Sequence, residues 1–244
     1  MKILVLSDIH ANLIALEAVL RDAGSFDATW FLGDLVGYGP SPNECVALLR
    51  ELPDLTCLLG NHDSAALGMI DTDAFNPEAQ RSVLWTRKHL NADNRRFLES
   101  CAPTASIHDV RLAHGSPRSP IWEYLLDTNT AAESFAYFTE SLCFVGHTHV
   151  PVIFEAPQGD QIFTAGLLIP EPNTTLQLQP RMIVNPGSVG QPRDRDPRAA
   201  YALFDPQALT WDYRRVPYDV AAVQQHMKVL NLPARHAQRL ASGW

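Results

Sequence analysis

The chain opens on an unbroken apolar run, Ile3-Leu4-Val5-Leu6, which breaks into polar Ser7-Asp8-Ile9-His10. A short run of this kind predicts a strand buried on both faces, here over residues 2–7. The period then changes. Leu13, Leu16, Ala18, Val19 and Leu20 recur at helical spacing and predict a helix from Asn12 to Arg21. Thr29–Leu32 and Leu55–Leu59 read as further strands, each running into glycine: Gly33-Asp34 and Gly60-Asn61-His62-Asp63. Between them, Gly37 to Asn43 is a loop by its glycine and proline content. Pro42–Glu51 is a helix with Ser41 at its N-cap. This alternation predicts an α/β fold with a parallel sheet under covering helices.

Past Ser64 the buried strands stop. Pro77–Leu90 and Asp93–Ser100 have helical patterns, so residues 64–100 read as a helical insertion near the site. It is too short for a core of its own, and residues 1–244 are expected to form a single domain. Ala105–His108 and Val110–Ala113 predict strands, the second leading into His114-Gly115-Ser116-Pro117. Ile121–Leu126 and Thr130–Thr139 predict helices. Leu142–Val145 predicts a strand that ends in Gly146-His147-Thr148-His149, and Val152–Glu155 another. The last third reads as strands at Gln161–Thr164, Thr174–Leu178, Met182–Asn185, Ala200–Phe204 and Thr210–Val216. Helices at Val220–Leu230 and Pro233–Leu240 follow.

A length of 244 residues allows one sizeable core. With 27 acidic against 19 basic residues the net charge is -8, which argues against a general nucleic-acid or anionic-membrane surface. A small phosphate substrate remains compatible, because bound divalent ions reverse the local sign. Cys45, Cys57, Cys101 and Cys143 form no C-x-x-C pair and read as reduced thiols of a cytoplasmic protein. There is no signal-type segment, and no apolar run approaches the roughly 20 residues of a membrane span. Edge strands in the last third would allow a homo-oligomer.

Five motifs share one layout, an apolar strand followed by a tight turn and ligand-type side chains. They are Asp8-x-His10, Gly33-Asp34, Gly60-Asn61-His62-Asp63, His114-Gly115 and Gly146-His147-Thr148-His149. Singly, each has a plain structural explanation: a turn, a loop, or Asn61 or Asp63 capping a helix. Open α/β sheets bind ligands beyond the carboxyl ends of their strands, so the five together predict one convergent site. Extended residues two apart point to one side, which would aim His147 and His149 into a common space. Carboxylate, imidazole and amide oxygen without thiolate suit manganese, iron or zinc-type ions. His89, His108, His226 and His236 lack this context and read as surface or packing residues.

In this order the motifs D-x-H, G-D, G-N-H-D, H-G and G-H-x-H resemble those of the calcineurin-like metallophosphoesterase superfamily. The resemblance runs from residue 8 to 149. The segments GYGPSPNEC, HGSPRSPIWEYL and NPGSVGQPRD are similar to its small bacterial and archaeal phosphodiesterase-type branch. It implies a four-layer α/β/β/α sandwich and two divalent ions, with Mn2+ favoured and Fe, Zn, Ni or Co as alternatives. By the same resemblance Asp8, His10, Asp34 and His149 hold the first ion. Asp34, Asn61, His114 and His147 hold the second, with Asp34 bridging. A metal-bridging hydroxide would attack phosphorus while His62, its ring oriented by Asp63, assists the leaving oxygen. Tyr38, Arg118, Ser188 and Arg193 are candidate contacts to a small phosphoester substrate. The implied activity is phosphodiester hydrolysis. The alternatives are a phosphomonoesterase acting on phosphoprotein or nucleotides, a dinucleoside polyphosphate hydrolase, and a non-catalytic metal-dependent binding module.

Overall fold

The first strand, β1 (Ile3–Leu6), lies inside a six-stranded sheet because its side chains are apolar on both faces. The computed structural model describes residues 1–157 and 164–244. Helix α1 (Leu13–Ala23) carries the chain over to β2 (Ala28–Phe31), parallel to β1, and α2 (Pro42–Arg50) carries it to β3 (Leu55–Cys57), parallel to β2. On its other side β1 pairs antiparallel with β11 (Ala199–Asp205). Then come β12 (Thr210–Val216) and β9 (Thr174–Gln177), also antiparallel.

The second six-stranded sheet is ordered β4 (Thr104–Ile107), β5 (Val110–Ala113), β6 (Leu142–Phe144), β10 (Met182–Asn185), β7 (Val152–Glu155) and β8 (Gly166–Leu168). Its three central strands, β5, β6 and β10, are parallel.

Side-chain alternation builds the layers. Leu4 and Leu6 face Leu16 and Val19 of α1 and Val46 and Leu49 of α2, outside the first sheet. Ile3, Val5, Ala202 and Phe204 face Leu112, Phe144 and Val184 of the second sheet. Phe144 fills the centre of that interface, with ring centroids 4.9 Å from Trp211 and 5.0 Å from Phe204. Cys143, Phe154 and Ile183 face outward onto Ala131 and Phe135 of the segment containing α6 (Thr128–Ser134). The architecture is the four-layer α/β/β/α sandwich expected.

The insertion begins earlier than its sequence pattern suggests. Helix α3 (Asn61–Leu67) starts on the third motif, followed by α4 (Pro77–His89) and α5 (Ala92–Glu99). It is stitched to the sandwich through Asn43 of α2. The Asn43 amide donates to His89 O at 2.8 Å and accepts from the Asn91 N–H at 2.9 Å. Asn76 and Asn91 cap α4 and α5 by accepting the N–H groups of Ala79 and Asn94. Ser41 stands at the N-cap of α2 but its hydroxyl makes no capping bond.

The terminal helices α7 (Val220–Val229) and α8 (Ala234–Ser242) close against Ile14 and Trp85. Their Val223, Met227 and Leu240 lie beside His10, Tyr38 and Gln191.

Two expectations change. Ile121–Leu126 is an irregular stretch, not a helix. Of these residues only Leu125 is buried, between exposed Tyr124 and Leu126. The expected strand Gln161–Thr164 lies, except for Thr164, outside the described residues; β8 comes after it. Thr130–Thr139 divides into α6 and a 3-10 turn, Phe135–Tyr137. Among the described residues no helix is long and apolar enough to cross a membrane.

Candidate metal centre

Parallel pairing puts the carboxyl ends of β1, β2 and β3 on one edge of the first sheet, and those of β5 and β6 on one edge of the second. The five motifs follow these ends. They are tied by backbone bonds, Asp8 N–H to Gly33 O at 3.0 Å, His10 N–H to Asp34 O at 3.0 Å and Gly146 N–H to His114 O at 2.8 Å.

The local backbone is not extended. Asp8, His10, Asp34, His147 and His149 have φ of 54°, 48°, 60°, 65° and 60°. Few non-glycine residues adopt this left-handed region, at a cost of roughly 1–3 kcal/mol each. Such conformations persist where surrounding bonds over-determine them, and they turn each ligand-type side chain sharply into the cleft. His147 and His149 therefore do not share a strand face; they enter separate groups. Two glycines permit the crowding. A Cβ on Gly60 would lie 2.1 Å from Asp34 Oδ1, and one on Gly146 would lie 2.0 Å from Ser7 Oγ.

Asp8, His10, Asp34 and His149 form one buried group of potential metal ligands, and Asp34, His114 and His147 the other. Asn61 joins the second, its Oδ1 3.2 Å from His114 Nε2. Each carboxylate commits one oxygen to the protein and aims the other inward. Asp8 Oδ2 accepts from Ser7 Oγ–H at 2.6 Å and His147 N–H at 3.0 Å, leaving Oδ1 without a partner. Asp34 Oδ1 accepts from His62 N–H at 2.8 Å, leaving Oδ2 without one. That free Oδ2 lies between the groups, 3.6 Å from His10 Nε2 and 3.4 Å from His114 Nε2.

The imidazoles are oriented by main-chain carbonyls. His10, His149 and His114 donate Nδ1–H to Val36 O, Gln191 O and Leu32 O at 3.2, 2.6 and 2.9 Å. In the neutral ring this fixes the tautomer and leaves Nε2 as the free lone pair. The Nε2 atoms of His10 and His149 then face each other at 3.1 Å. Burial is the largest influence on both rings and holds their pKa values below the ordinary imidazole range. Two opposed lone pairs and two orphaned carboxylate oxygens fit a cation.

His114 differs. Burial would lower its pKa, but the charge of the Asp34 carboxylate, with Oδ2 3.4 Å from Nε2, outweighs this and raises it to about 9. Metal coordination requires the neutral ring, so metal uptake at neutral pH is expected to release a proton and to weaken as pH falls below about 9. Calorimetric titration in two buffers of different ionisation enthalpy reads that proton directly.

His62 and Asp63 sit at the start of α3, and the structure corrects their relation. Asp63 does not orient His62. Its Oδ2 accepts the N–H groups of Asp34, Leu35 and Gly60 at 2.9, 3.2 and 3.0 Å, and its Oδ1 accepts that of Val36 at 2.9 Å. The carboxylate is thus the anchor of the loop that presents Asp34, and it caps α3 through Gly60. Burial and the charge of Asp34 push its pKa up to about 7 against the pull of those N–H groups. Asp63→Ala strands four buried donors and is expected to cost about 3 kcal/mol or more in chemical denaturation, with weaker metal binding.

His62 packs edge-on against His10 and Phe75, with ring centroids 4.9 and 5.0 Å away. Its Nδ1 is buried without a partner against Gly37, which turns Nε2 the other way. Burial holds its pKa at about 4, so the ring is neutral at pH 7 and acts as an N–H donor.

The four candidate substrate contacts separate. Tyr38 is buried between His10, His62 and His236, and burial pushes its phenol up to about 12. Arg193 lies beside the cluster, its guanidinium carbon 5.9 Å from the Tyr38 ring centre, with Nε unpartnered. Arg118 is instead consumed by ion pairs to Glu123 and Glu133. Ser188 is buried and structural: its Oγ–H donates to Asp8 O and its oxygen accepts Gln191 N–H, both at 2.8 Å. Tyr124, stacked on His147 with centroids 3.9 Å apart, escapes sequence reasoning because it lies in the stretch taken for a helix.

Residues 1–208 match the sequence profile of the calcineurin-like phosphoesterase superfamily domain. The chain is 38% identical over 251 residues to an uncharacterized protein of Methanocaldococcus jannaschii, covering 99% of this chain and 98% of that one. The crystal structure of a metallophosphoesterase from Sphaerobacter thermophilus has a TM-score of 0.91 at 46% identity, covering 100% of this chain and 99% of the other. A symmetrical bis(5'-nucleosyl)-tetraphosphatase of Vibrio cholerae is 28% identical over 147 residues, covering 50% of this chain and 55% of that protein. With its five motifs gathered into one buried cluster of aspartates and histidines, the chain belongs to the calcineurin-like phosphoesterase superfamily.

Proposed function

We propose that the protein is a two-metal phosphoester hydrolase acting on phosphodiesters, with Mn2+ as the favoured ion. The observation that carries this reading is the free Oδ2 of Asp34, placed within 3.6 Å of ligand nitrogens from both groups. Two divalent ions held there would polarise phosphoryl oxygens and supply hydroxide near neutral pH.

The chain's own residues do the rest. Asp8, His10 and His149 would hold one ion, and Asn61, His114 and His147 the other, with Asp34 shared. His62, neutral and beside both Tyr38 and His10, donates an N–H to the leaving oxygen. Tyr38, its phenol kept protonated by burial, stands next to it. The guanidinium of Arg193 adds a fixed positive charge for the non-bridging oxygens. A groove lined by Tyr124, Thr148 and Arg193 lies next to the two ligand histidines and offers room for the second ester group of a diester.

A second reading, hydrolysis of dinucleoside polyphosphates, draws on the likeness to the Vibrio cholerae tetraphosphatase. The test is kcat/KM for bis(p-nitrophenyl) phosphate against p-nitrophenyl phosphate with Mn2+. The diester is expected to be preferred, and a strong monoester preference overturns the assignment.

A further inference from the structure

Two adjoining cavities, of about 560 and 450 Å³, run between α4 of the insertion and the terminal helices α7 and α8. Arg81, Asn231, Leu232 and Pro233 line both, so they are two lobes of one groove. The first lobe adds Gln224 and Lys228 of α7 and Gln238 of α8. The second adds Leu84, Trp85 and Lys88 of α4. Volumes of this size suit a small molecule.

The groove follows the seam along which the two helical pieces dock. Trp85 packs inward on Val223, Met227, Leu232 and Leu240. Arg81 donates Nη2–H to Asn231 O at 3.1 Å, and Arg235 pairs with Glu78 at 3.6 Å. Both pieces also reach the metal cluster. His236 of α8 lies against Tyr38 with ring centroids 4.5 Å apart, and Phe75, just before α4, packs on His62 at 5.0 Å. An occupant of the seam would therefore touch the joint between two elements that cover the cluster.

The charge of this groove is one-sided. Among the described residues its charged lining side chains are Arg81, Lys88 and Lys228, all exposed and none in an ion pair. Glu78, one turn before Arg81, is engaged by Arg235 instead. Three cations thus gather without a counter-charge in a chain whose net charge is -8. A guanidinium grips an oxyanion through parallel N–H bonds, and a lysine adds a mobile charge beside it. Next to these cations, Leu84, Trp85 and Leu232 supply apolar surface. The acidic balance of the whole chain disfavours a long polyanion and leaves a small ligand.

We propose that this groove binds a small organic anion, with its oxyanion head on Arg81 and Lys228 and its apolar body along Leu84 and Trp85. The site takes no part in hydrolysis, so it stands or falls without reference to the reaction at the metals.

Calorimetric titration of the Mn2+-loaded protein tests it with three probes. Naphthalene-2-sulfonate carries head and body, naphthalene-2-sulfonamide the body without the charge, and inorganic sulfate the head without the body. The sulfonate is expected to bind the wild type at least about tenfold more tightly than either of the others. Lys228→Gln, a change at an exposed position, is expected to cut that preference about threefold. Arg81→Gln is expected to erase it, and Arg81→Lys to restore much of it because the charge returns. Since Arg81 also ties α4 to Asn231, Lys228→Gln decides the matter if Arg81→Gln disturbs the fold. Equal binding of the sulfonate and either partial probe by the wild type overturns the site. So does a sulfonate preference unchanged in Lys228→Gln, which would put the anion elsewhere, the metal cluster included.

Discussion

Asp34→Asn is expected to lower kcat by about 10³-fold or more and to empty both ligand groups at once. The reason is the division of labour between its two oxygens. Oδ1 accepts the His62 N–H at 2.8 Å, and asparagine can still do this, so the fold of the loop survives. Oδ2 is the free oxygen between His10 and His114, and it carries charge to both groups. Asparagine offers a neutral amide there and removes half of the carboxylate charge that Asp8 and Asp34 provide. Metal content by elemental analysis should fall for both ions together, with the circular dichroism spectrum retained. A variant that loses one ion and keeps the other at full occupancy would refute the sharing.

His62→Ala is expected to lower kcat by about 10²–10⁴-fold with metal content unchanged. His62 reaches Asp34 only through its backbone N–H, and alanine keeps that bond. What disappears is a neutral imidazole held against Gly37, Tyr38 and Phe75. On the role proposed for the ring at the leaving oxygen, the loss should be largest for alkyl leaving groups and smaller for p-nitrophenolate, which departs without help. Comparing the two ester classes separates this role from a packing defect, which would depress both equally. Loss of metal in the variant would contradict the assignment.

The seven ligand-type residues are legible because they stand at fixed offsets from apolar runs, and strand ends converge whatever the detailed packing. The four layers are legible for a similar reason. Runs such as Ile3–Leu6 and Ala199–Phe204 are apolar at every position, so both faces must be covered. What escapes is whatever depends on direction. Nothing in the letters of Gly146-His147-Thr148-His149 reveals that both histidines take positive φ and separate, rather than pointing together as in a strand. Asp63 has the residue type to orient a histidine, but its position in the first turn of α3 turns it onto the N–H groups of Asp34 to Val36. Arg118 and Arg193 look alike in sequence; Glu123 and Glu133 occupy the first and leave the second.

The central claim is that two ions are held by different residues on either side of Asp34, and metal stoichiometry tests it most directly. Mn2+ content would be measured on the wild type, His147→Ala and His149→Ala after identical loading. The expected result is two ions per chain in the wild type and about one in each variant. Each variant should lose a different step of the calorimetric titration. One ion per chain in an active wild type, or loss of the same step in both variants, would contradict the account.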